Sequence, residues 1–218
     1  MPGAAFFDLD RTLLDTNSAH SWLRHEWRAG RVKPRTVLRA LWFFGRYALG
    51  DDTLGDALAD AAALYTGVPE ATMDARVRAW FRAELAHRLR PGAAPAIASH
   101  RSLGEPCVVA TSSSQFAAQA AQDTFGLDHA ISTVVEVVDG RLTGRLAGSA
   151  FGTHKLDACA EWAASRGIAL ADCAFYTDSY SDLPLLEAVG RPVVVHPDRR
   201  LQRHAARRGW PVVDWSGT

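Results

Sequence analysis

The sequence contains little cysteine, almost no lysine and no long apolar run. Its three cysteines, Cys107, Cys159 and Cys173, are far apart and form no CxxC pair. We therefore expect buried free thiols in a reducing compartment rather than disulfides or a thiolate metal site. No stretch approaches the roughly 18 uninterrupted apolar residues of a membrane span. The first residues show neither the basic nor the apolar segment of a signal peptide, so the sequence predicts a cytoplasmic protein without a stable membrane span.

The chain also carries no net charge, because 24 Lys plus Arg balance 24 Asp plus Glu in 218 residues. Lys33 and Lys155 are the only lysines, which leaves 22 of the 24 basic residues as arginine. A neutral total argues against nucleic acid or an anionic membrane as the main partner. The last predicted helix is rich in arginine, and we interpret this face as solvated: Arg199, Arg200, Arg203, Arg207 and Arg208. We therefore expect no nucleic-acid partner, and no feature of the sequence points to an oligomeric state.

Hydrophobic periodicity divides the chain into an α/β part and a helical part. The predicted strands are residues 4–9, 107–110, 134–138, 141–146, 173–177, 192–196 and 212–214, and the predicted helices are residues 114–125, 155–166, 183–189 and 198–208. Residues 18–90 show helical spacing, with breaks at glycine and proline. This order predicts a three-layer α/β/α, Rossmann-like core with a parallel sheet, and a small helical domain inserted after the first strand. We assign residues 1–16 and 91–218 to the core and residues 17–90 to the helical insertion.

Acidic residues stand where two of the predicted strands end. Asp8 and Asp10 follow the first strand, and Asp178 and Asp182 follow the strand at 173–177. Because ligands bind at the carboxyl ends of parallel strands, we expect all four carboxylates at one edge of the sheet. Crowded carboxylates repel one another, so a hard cation is the expected occupant. The sequence therefore predicts a Mg²⁺ site formed by these four residues.

A second set of polar residues stands at the start of two predicted helices. Thr111, Ser112 and Ser113 end a strand and lead into a helix, whose N-terminal amides favour an anion. Lys155 follows Gly-Thr-His at the next helix start, in a position to neutralise a phosphate or nearby carboxylates. Taken singly, these residues also fit helix capping and an exposed helix position. Beside the paired acids, we interpret them as a phosphate site.

With these motifs the sequence resembles the haloacid dehalogenase superfamily of hydrolases, subfamily IB, the phosphoserine phosphatase-like group. The motifs run in order as Asp8-Leu-Asp-Arg-Thr, Thr111-Ser-Ser-Ser, the Asp139-Gly140 hairpin, Gly152-Thr-His-Lys155 and Asp178-Ser-Tyr-Ser-Asp182-Leu-Pro. They extend over nearly the whole chain. The resemblance implies a Mg²⁺-dependent phosphatase that acts on a small phosphorylated metabolite, with the helical insertion as the family's cap.

The resemblance also implies a mechanism through an aspartyl-phosphate. Asp8 would be the nucleophile, and Asp10 would act first as general acid and then as general base. The carboxylates of Asp8 and Asp178 and the backbone carbonyl of Asp10 would surround Mg²⁺. Asp182 would support the metal through water or orient Lys155.

The remaining implied roles concern the phosphate and its alcohol. Thr111, the adjacent amides and Lys155 would hold the phosphoryl oxygens, and Thr12, Ser112 and Ser113 complete the substrate-binding set. A phosphotransferase or mutase with the same chemistry is the alternative enzyme class. A scaffold that only binds a phosphorylated ligand is the non-enzyme alternative, which the filled catalytic positions argue against.

Substrate choice is expected to depend on the helical insertion. Asn17 stands where phosphoserine phosphatases carry a glutamate that faces the substrate ammonium, and a neutral amide makes phosphoserine a weaker candidate. Histidinol phosphate, sugar phosphates, nucleotides and lipid phosphates stay open. His20 and Arg24 follow at near-helical spacing and are candidates for the cleft, although a surface position explains them equally well. The insertion also concentrates aromatics, which we interpret as helix packing rather than a substrate wall or membrane patch: Trp22, Trp27, Trp42, Phe43, Phe44 and Tyr47.

Overall fold

The seven strands of the computed structural model, which describes residues 3–34 and 54–216, form one sheet in the order β4-β3-β2-β1-β5-β6-β7. They are β1 (Ala5–Phe7), β2 (Cys107–Ser114), β3 (His129–Val138), β4 (Arg141–Gly148), β5 (Ala174–Thr177), β6 (Arg191–Val195) and β7 (Val212–Val213). All neighbours are parallel except β3 and β4. β1 therefore lies between β2 and β5, and the ends of these three strands share one edge.

Helices cover the sheet, and four of those that the structure describes lie in the segment between β1 and β2 or lead back to the sheet. The helices are α1 (Ser18–Arg28), α2 (Leu54–Ala63), α3 (Glu70–Trp80), α4 (Ala93–Ser102), α5 (Gln115–Phe125), α6 (Thr153–Ala164), α7 (Leu183–Ala188) and α8 (Arg199–Arg208). The chain continues from α3 through a π-helical turn (Phe81–Leu85) and a 3-10 turn (Ala86–Arg88). The predicted α/β class is confirmed, including the Asp139-Gly140 hairpin between β3 and β4. β2 and β3 are both longer than predicted.

Two hydrophobic clusters, one on each face of the sheet, make up the core. Successive side chains of a strand point to opposite faces, and β1 shows this directly. Phe7 belongs to one cluster and stacks on Tyr176 with ring centroids 4.8 Å apart. Phe6 belongs to the other and meets Trp162 edge to face at 5.6 Å. The sheet is therefore buried on both sides, which gives the three layers.

The chain leaves the sheet and returns to it along two adjacent segments. Leu14 pairs with Leu89 in an antiparallel bridge. The N–H of Arg90 donates to the carbonyl of Leu13 at 2.8 Å. The two ends of the segment between β1 and β2 are thus joined to each other where the chain leaves the sheet.

The β3–β4 hairpin gives the helical insertion a second attachment. The N–H of Gly67 donates to the carbonyl of Leu142 at 2.7 Å, and the N–H of Glu70 donates to the carbonyl of Gly140 at 2.9 Å. Gly144 adopts a φ of +80°, and a Cβ there would meet the Thr66 hydroxyl at 2.1 Å. Only glycine permits this close approach, so the hairpin fixes α2 and α3 against the sheet.

Part of the predicted aromatic cluster packs inside the helical insertion. Trp22 lies 5.1 Å from Trp80 between ring centroids, and its indole N–H donates to the hydroxyl of Tyr65 at 2.8 Å. Trp27, by contrast, is 54% exposed. Trp42, Phe43, Phe44 and Tyr47 lie outside the described residues. Packing therefore accounts for Trp22 but not for Trp27.

Two expectations about the whole chain can be compared with the described residues. Cys107, Cys159 and Cys173 are free and buried, as predicted. In residues 3–34 and 54–216, no helix combines the length and the apolar character that crossing a membrane requires.

Candidate active site

The site begins where β1 ends. The N–H of Asp8 donates to the carbonyl of Tyr176 at 2.9 Å, which extends the pairing of β1 with β5 by one residue. The carbonyl of Asp8 accepts from the N–H of Leu13 at 3.2 Å and closes a tight turn over Leu9–Leu13. This turn holds the Asp8 carboxylate at the edge of the sheet and places Asp10 beside it.

Lys155 is buried between two carboxylates. Its Nζ lies 2.9 Å from Asp8 Oδ1 and 2.8 Å from Asp182 Oδ1. The second oxygen of Asp182 accepts from the hydroxyl of Thr177 at 2.7 Å. Burial alone would lower the pKa of Lys155, but the charges of Asp182 and Asp8 outweigh it and raise that pKa. Lys155 is therefore a fixed, permanently charged ammonium.

The carboxylates of Asp8 and Asp178 are held in a poorly solvated site. Burial is the main reason that the pKa of Asp8 is raised from 3.8 to about 7, and the charge of Lys155 only partly offsets it. Burial also raises the pKa of Asp178 well above its usual range, and the negative charges of Asp8 and Asp182 raise it further. The surroundings of Asp8 and Asp178 therefore do not fully compensate the negative charge of their ionised forms.

This pair of carboxylates fits a divalent cation. In the part of the chain that the structure describes, no three His, Cys, Asp or Glu side chains converge as a metal site. Mg²⁺ needs fewer, since it is usually held by one or two carboxylates and keeps several waters. Of the four predicted carboxylates, those of Asp10 and Asp182 are bonded through both oxygens, whereas those of Asp8 and Asp178 are bonded through Oδ1.

The Asp10 carboxylate lies at the N-terminus of α1. Oδ1 accepts from the N–H of Ser18 at 2.6 Å, and Oδ2 accepts from the hydroxyls of Ser18 and Ser113 at 2.9 and 3.1 Å. The two hydroxyls are themselves 2.8 Å apart. Burial raises the pKa of Asp10, while the bonds from Ser18 lower it. Asp10 thus joins β1, the end of β2 and the helical insertion at one point.

The end of β2 supplies the predicted hydroxyl groups. Thr111 is 1% exposed, and its hydroxyl accepts from the N–H of Ser113 at 3.1 Å. Ser112 and Ser113 are half-buried. The strand runs on to Ser114, whose hydroxyl caps α5 by accepting from the N–H of Ala117. Because β2 is the neighbour of β1, these hydroxyls lie beside the Asp8 turn.

Two residues predicted to bind substrate make other contacts. Thr12 is fully buried, and its hydroxyl donates to Asp178 Oδ1 at 3.3 Å, so it orients a carboxylate. Asn17 caps α1, because its Oδ1 accepts from the N–H of His20 at 3.0 Å. Both side chains therefore have a bond within the protein, and their contact with substrate stays a prediction.

His20 and Arg24 lie on exposed positions of α1. Burial and the charge of Arg11 lower the pKa of His20, whereas the charge of Asp10 raises it. His20 is therefore close to the site. Arg24 lies one helical turn further along, and within the described residues it has no hydrogen bond to the groups above.

Ser18 and Arg11 contribute to the site although the sequence analysis did not select them. A serine at a helix start is normally explained by capping, so Ser18 gave no separate signal. Arg11 adopts a φ of +61°. This conformation costs a residue other than glycine roughly 1–2 kcal/mol. The residues Arg11-Thr12 do not form a turn motif from which a positive φ could be predicted.

Residues 5–187 match the family model of haloacid dehalogenase-like hydrolases. The chain is 32% identical to a histidinol-phosphatase of Neisseria meningitidis, over 99% of this chain and 100% of that protein. It is also 32% identical to a phosphoserine phosphatase of Mycobacterium tuberculosis, over 99% of this chain and 71% of that protein. A crystal structure of a Bordetella pertussis protein of unknown function has a TM-score of 0.88 and 32% identity, with 99% of both chains covered. These three likenesses include both the sheet and the helical insertion.

Proposed function

The chain belongs to the haloacid dehalogenase-like hydrolases and is a phosphatase, and we propose that it hydrolyses a small phosphomonoester with Mg²⁺ through an aspartyl-phosphate on Asp8. The observation that carries the proposal is the contact between Asp8 and the buried Lys155 at 2.9 Å. An ammonium at this distance favours the ionised form of the Asp8 carboxylate and orients it as a nucleophile. It also lies where the oxygens of an entering phosphoryl group gain negative charge.

In the first step, an oxygen of Asp8 attacks phosphorus and the bond from phosphorus to the alcohol oxygen breaks. Asp10 donates a proton to that oxygen, so the alcohol leaves neutral. In the second step, Asp10 takes a proton from water, whose oxygen attacks phosphorus while the bond to Asp8 breaks. Inorganic phosphate is released and both carboxylates return to their first state.

The carboxylates of Asp8 and Asp178 and the backbone carbonyl of Asp10 would hold the Mg²⁺. When bound, this ion screens the repulsion between the Asp8 carboxylate and the phosphate dianion. Lys155 supplies the opposite side of the phosphate, together with Thr111 at the end of β2. Asp182 fixes Lys155 rather than the metal, because both of its oxygens are already bonded.

We further propose that residues 17–90 act as a cap over a core formed by residues 1–16 and 91–218. The motivation is that Ser18, the first residue of α1, donates two hydrogen bonds to Asp10, so the alcohol that Asp10 protonates would leave phosphorus beside the helical insertion. Substrate choice would then depend on groups around α1. The three buried free thiols suit a reducing compartment, and we place the enzyme in the cytoplasm.

A phosphate-release screen over phosphorylated metabolites, with Mg²⁺ and again with EDTA, tests the proposal. Release that requires Mg²⁺ is the expected result. With 4-nitrophenyl phosphate and added glycerol, equal amounts of nitrophenol and phosphate indicate hydrolysis, whereas excess nitrophenol indicates transfer to the alcohol. No release from any compound, in a protein that Mg²⁺ still stabilises, would instead support a binding scaffold.

A further inference from the structure

The segment Asp214–Ser216, which we call the strap, packs on the point where the chain returns from the helical insertion to the sheet. Trp215 is 7% exposed, and its carbonyl accepts from the N–H of Gly92 at 3.4 Å. A Cβ at Gly92 would meet the Cδ1 atom of Trp215 at 2.2 Å. The indole therefore fills a notch that glycine alone leaves open.

Trp215 contacts both sides of this joint. Gly92 follows Arg90, whose N–H donates to the carbonyl of Leu13 at 2.8 Å and so ties the returning chain to the outgoing one. On its other side, Trp215 lies against Tyr176 of β5, with ring centroids 5.4 Å apart. The strap thus connects the joint of the insertion to a strand that borders the candidate active site.

His196, the residue after β6, holds the strap by a hydrogen bond that requires a neutral ring. Its Nε2 accepts from the N–H of Trp215 at 2.9 Å. A backbone N–H can only donate, so Nε2 carries no proton here and Nδ1 carries it. Asp214 Oδ1 lies 3.2 Å from the same Nε2, where it would accept from a protonated ring. The two neighbours of Nε2 therefore need opposite protonation states of His196.

The charged groups that act on His196, among the described residues, are Arg90 and Asp214. Burial and the positive charge of Arg90 lower the pKa of His196 below its usual 6.5, while the charge of Asp214 raises it. Release of the strap would expose the ring, so the released state binds a proton more tightly than the fastened state. Acid therefore favours release.

We propose that the strap is a pH-sensitive fastener of the helical insertion, in which neutral His196 holds Trp215 over Gly92 and protonation of Nε2 releases it. The proton comes from solvent. The N–H of Trp215 then loses its acceptor, and the imidazolium donates to Asp214 instead. Without Trp215 in the notch, the bond from Arg90 to Leu13 opens more often. The proposal concerns movement of the insertion and does not depend on the proposed hydrolysis.

Amide hydrogen exchange measured by NMR tests the proposal, with each rate divided by the intrinsic rate at the same pH. In the wild type, protection of the Trp215 and Arg90 amides should fall about 3- to 10-fold between pH 7.5 and pH 5, as expected for loss of one hydrogen bond. The control is the N–H of Asp128, which donates to the carbonyl of Cys107 at 2.8 Å and should keep its protection.

Substitutions at the switch separate protonation of His196 from other effects of acid. His196→Gln supplies an amide oxygen that accepts at every pH, so both amides should stay protected at pH 5. His129→Gln is the matched control, because burial also lowers the pKa of His129, and it should leave the wild-type response unchanged. Asp214→Asn removes the acceptor of the protonated ring and should move the fall in protection to lower pH.

Gly92→Ala tests the notch without altering His196. Gly92 has a φ of −77°, which alanine adopts readily, so the variant acts by displacing Trp215. The Arg90 amide should be about 3- to 10-fold less protected than in the wild type already at pH 7.5, with no further fall at pH 5. Gly148→Ala, at a glycine with open space around its Cβ position, is the control.

Three results would overturn the proposal: an equal fall in protection in His196→Gln and the wild type, a Trp215 amide whose protection is independent of pH, or an Arg90 amide equally protected in Gly92→Ala and Gly148→Ala. Thermal melting checks that each variant is folded, and the Gly92→Ala comparison decides the matter if His196→Gln is not. No measurement here uses phosphate release, so failure of the proposed function would leave these results unchanged.

Discussion

The floor of the site, formed by the buried side chains of Asp8, Lys155, Asp178 and Asp182, and the side formed by α1 hold their polar groups in different ways. On the floor, Lys155 and Asp182 are each 2% exposed and are bonded to one another at 2.8 Å. On the α1 side, His20 and Arg24 are exposed. The two regions meet at Asp10, which accepts from Ser18 of α1.

This difference separates the chemistry from the choice of substrate. A buried ion pair is costly to disturb, since removal of one partner leaves an unpaired charge worth about 3–5 kcal/mol. Exposed groups cost little to replace, and most surface substitutions change stability by about 0.5 kcal/mol or less. The floor is thus suited to a constant phosphoryl reaction, while the α1 side is free to vary with the alcohol.

The largest effect is expected from Asp8→Asn on the floor. Asparagine keeps the size of the side chain but supplies no anionic nucleophile, so kcat for 4-nitrophenyl phosphate should fall by at least about 1,000-fold. Asp15→Asn, an exposed carboxylate of the neighbouring segment, is the matched control. Thermal melting checks that both variants are folded. Substantial turnover by a folded Asp8→Asn protein would remove Asp8 from the mechanism.

The next largest effect is the pH dependence of stabilisation by Mg²⁺, and it also arises from residues of the floor. The pKa of Asp8 is raised from 3.8 to about 7, so between these values the native state holds a proton that the unfolded chain has lost. The stability contributed by this group is therefore present at low pH and is lost as pH rises through 7. Since Mg²⁺ binds the ionised carboxylate, it should stabilise the protein more at pH 8 than at pH 6.

At about 100 times its Kd, Mg²⁺ should add about 2.7 kcal/mol at pH 8, and roughly tenfold weaker binding at pH 6 should remove about half of that. Melting curves with Mg²⁺ and with EDTA at the two pH values measure the difference. A shift in Tm that is independent of pH would mean that Asp8 does not take part in metal binding.

The fold and the residues of the floor could be predicted from the sequence, because sequence patterns locate the ends of strands well. Short apolar runs that end in acid predicted that Asp8 and Asp178 share an edge, and the pairing of β1 with β5 brings these ends together. β3 was predicted only in its second half. Its first half pairs with β2 and its second half with β4, and the register shifts in both pairings leave no single alternation to detect.

The contacts of the α1 side were not predictable, because they join residues that are distant in sequence. Ser18 and Ser113 are 95 positions apart, and no spacing rule connects them. The sequence shows residue types and not side-chain directions, and the set of four carboxylates around a metal stays a prediction. The Asp182 carboxylate binds the Thr177 hydroxyl and the Lys155 ammonium. The Asp10 carboxylate accepts hydrogen bonds from the hydroxyls of Ser18 and Ser113.

Ser18→Ala tests the point where the two regions meet. The variant removes one hydrogen bond to Asp10 and should lower kcat/KM for phenyl phosphate by about tenfold, since a charge-assisted bond contributes about 1.5–3 kcal/mol. The loss should be smaller for 4-nitrophenyl phosphate, whose better leaving group needs less proton donation. Ser18→Thr keeps the hydroxyl and should restore activity, while Ser102→Ala on α4 is the control. Equal losses on both esters would show that Ser18 supports the fold rather than Asp10.

The smallest effect is expected at Asn17, where a role in capping and a role in substrate binding predict opposite results. If the side chain only caps α1, Asn17→Ala should cost about 1 kcal/mol, or about 2–4 °C in Tm, and change kcat/KM by less than about twofold. Asn17→Ser keeps the cap acceptor and should restore Tm. If Asn17 instead contacts the alcohol, Asn17→Ser should keep the wild-type Tm but change the ratio of kcat/KM between 3-phosphoglycerate and 2-aminoethyl phosphate. That second result would place the residue that caps α1 in contact with substrate, and would return Asn17 to the role that the sequence alone suggested.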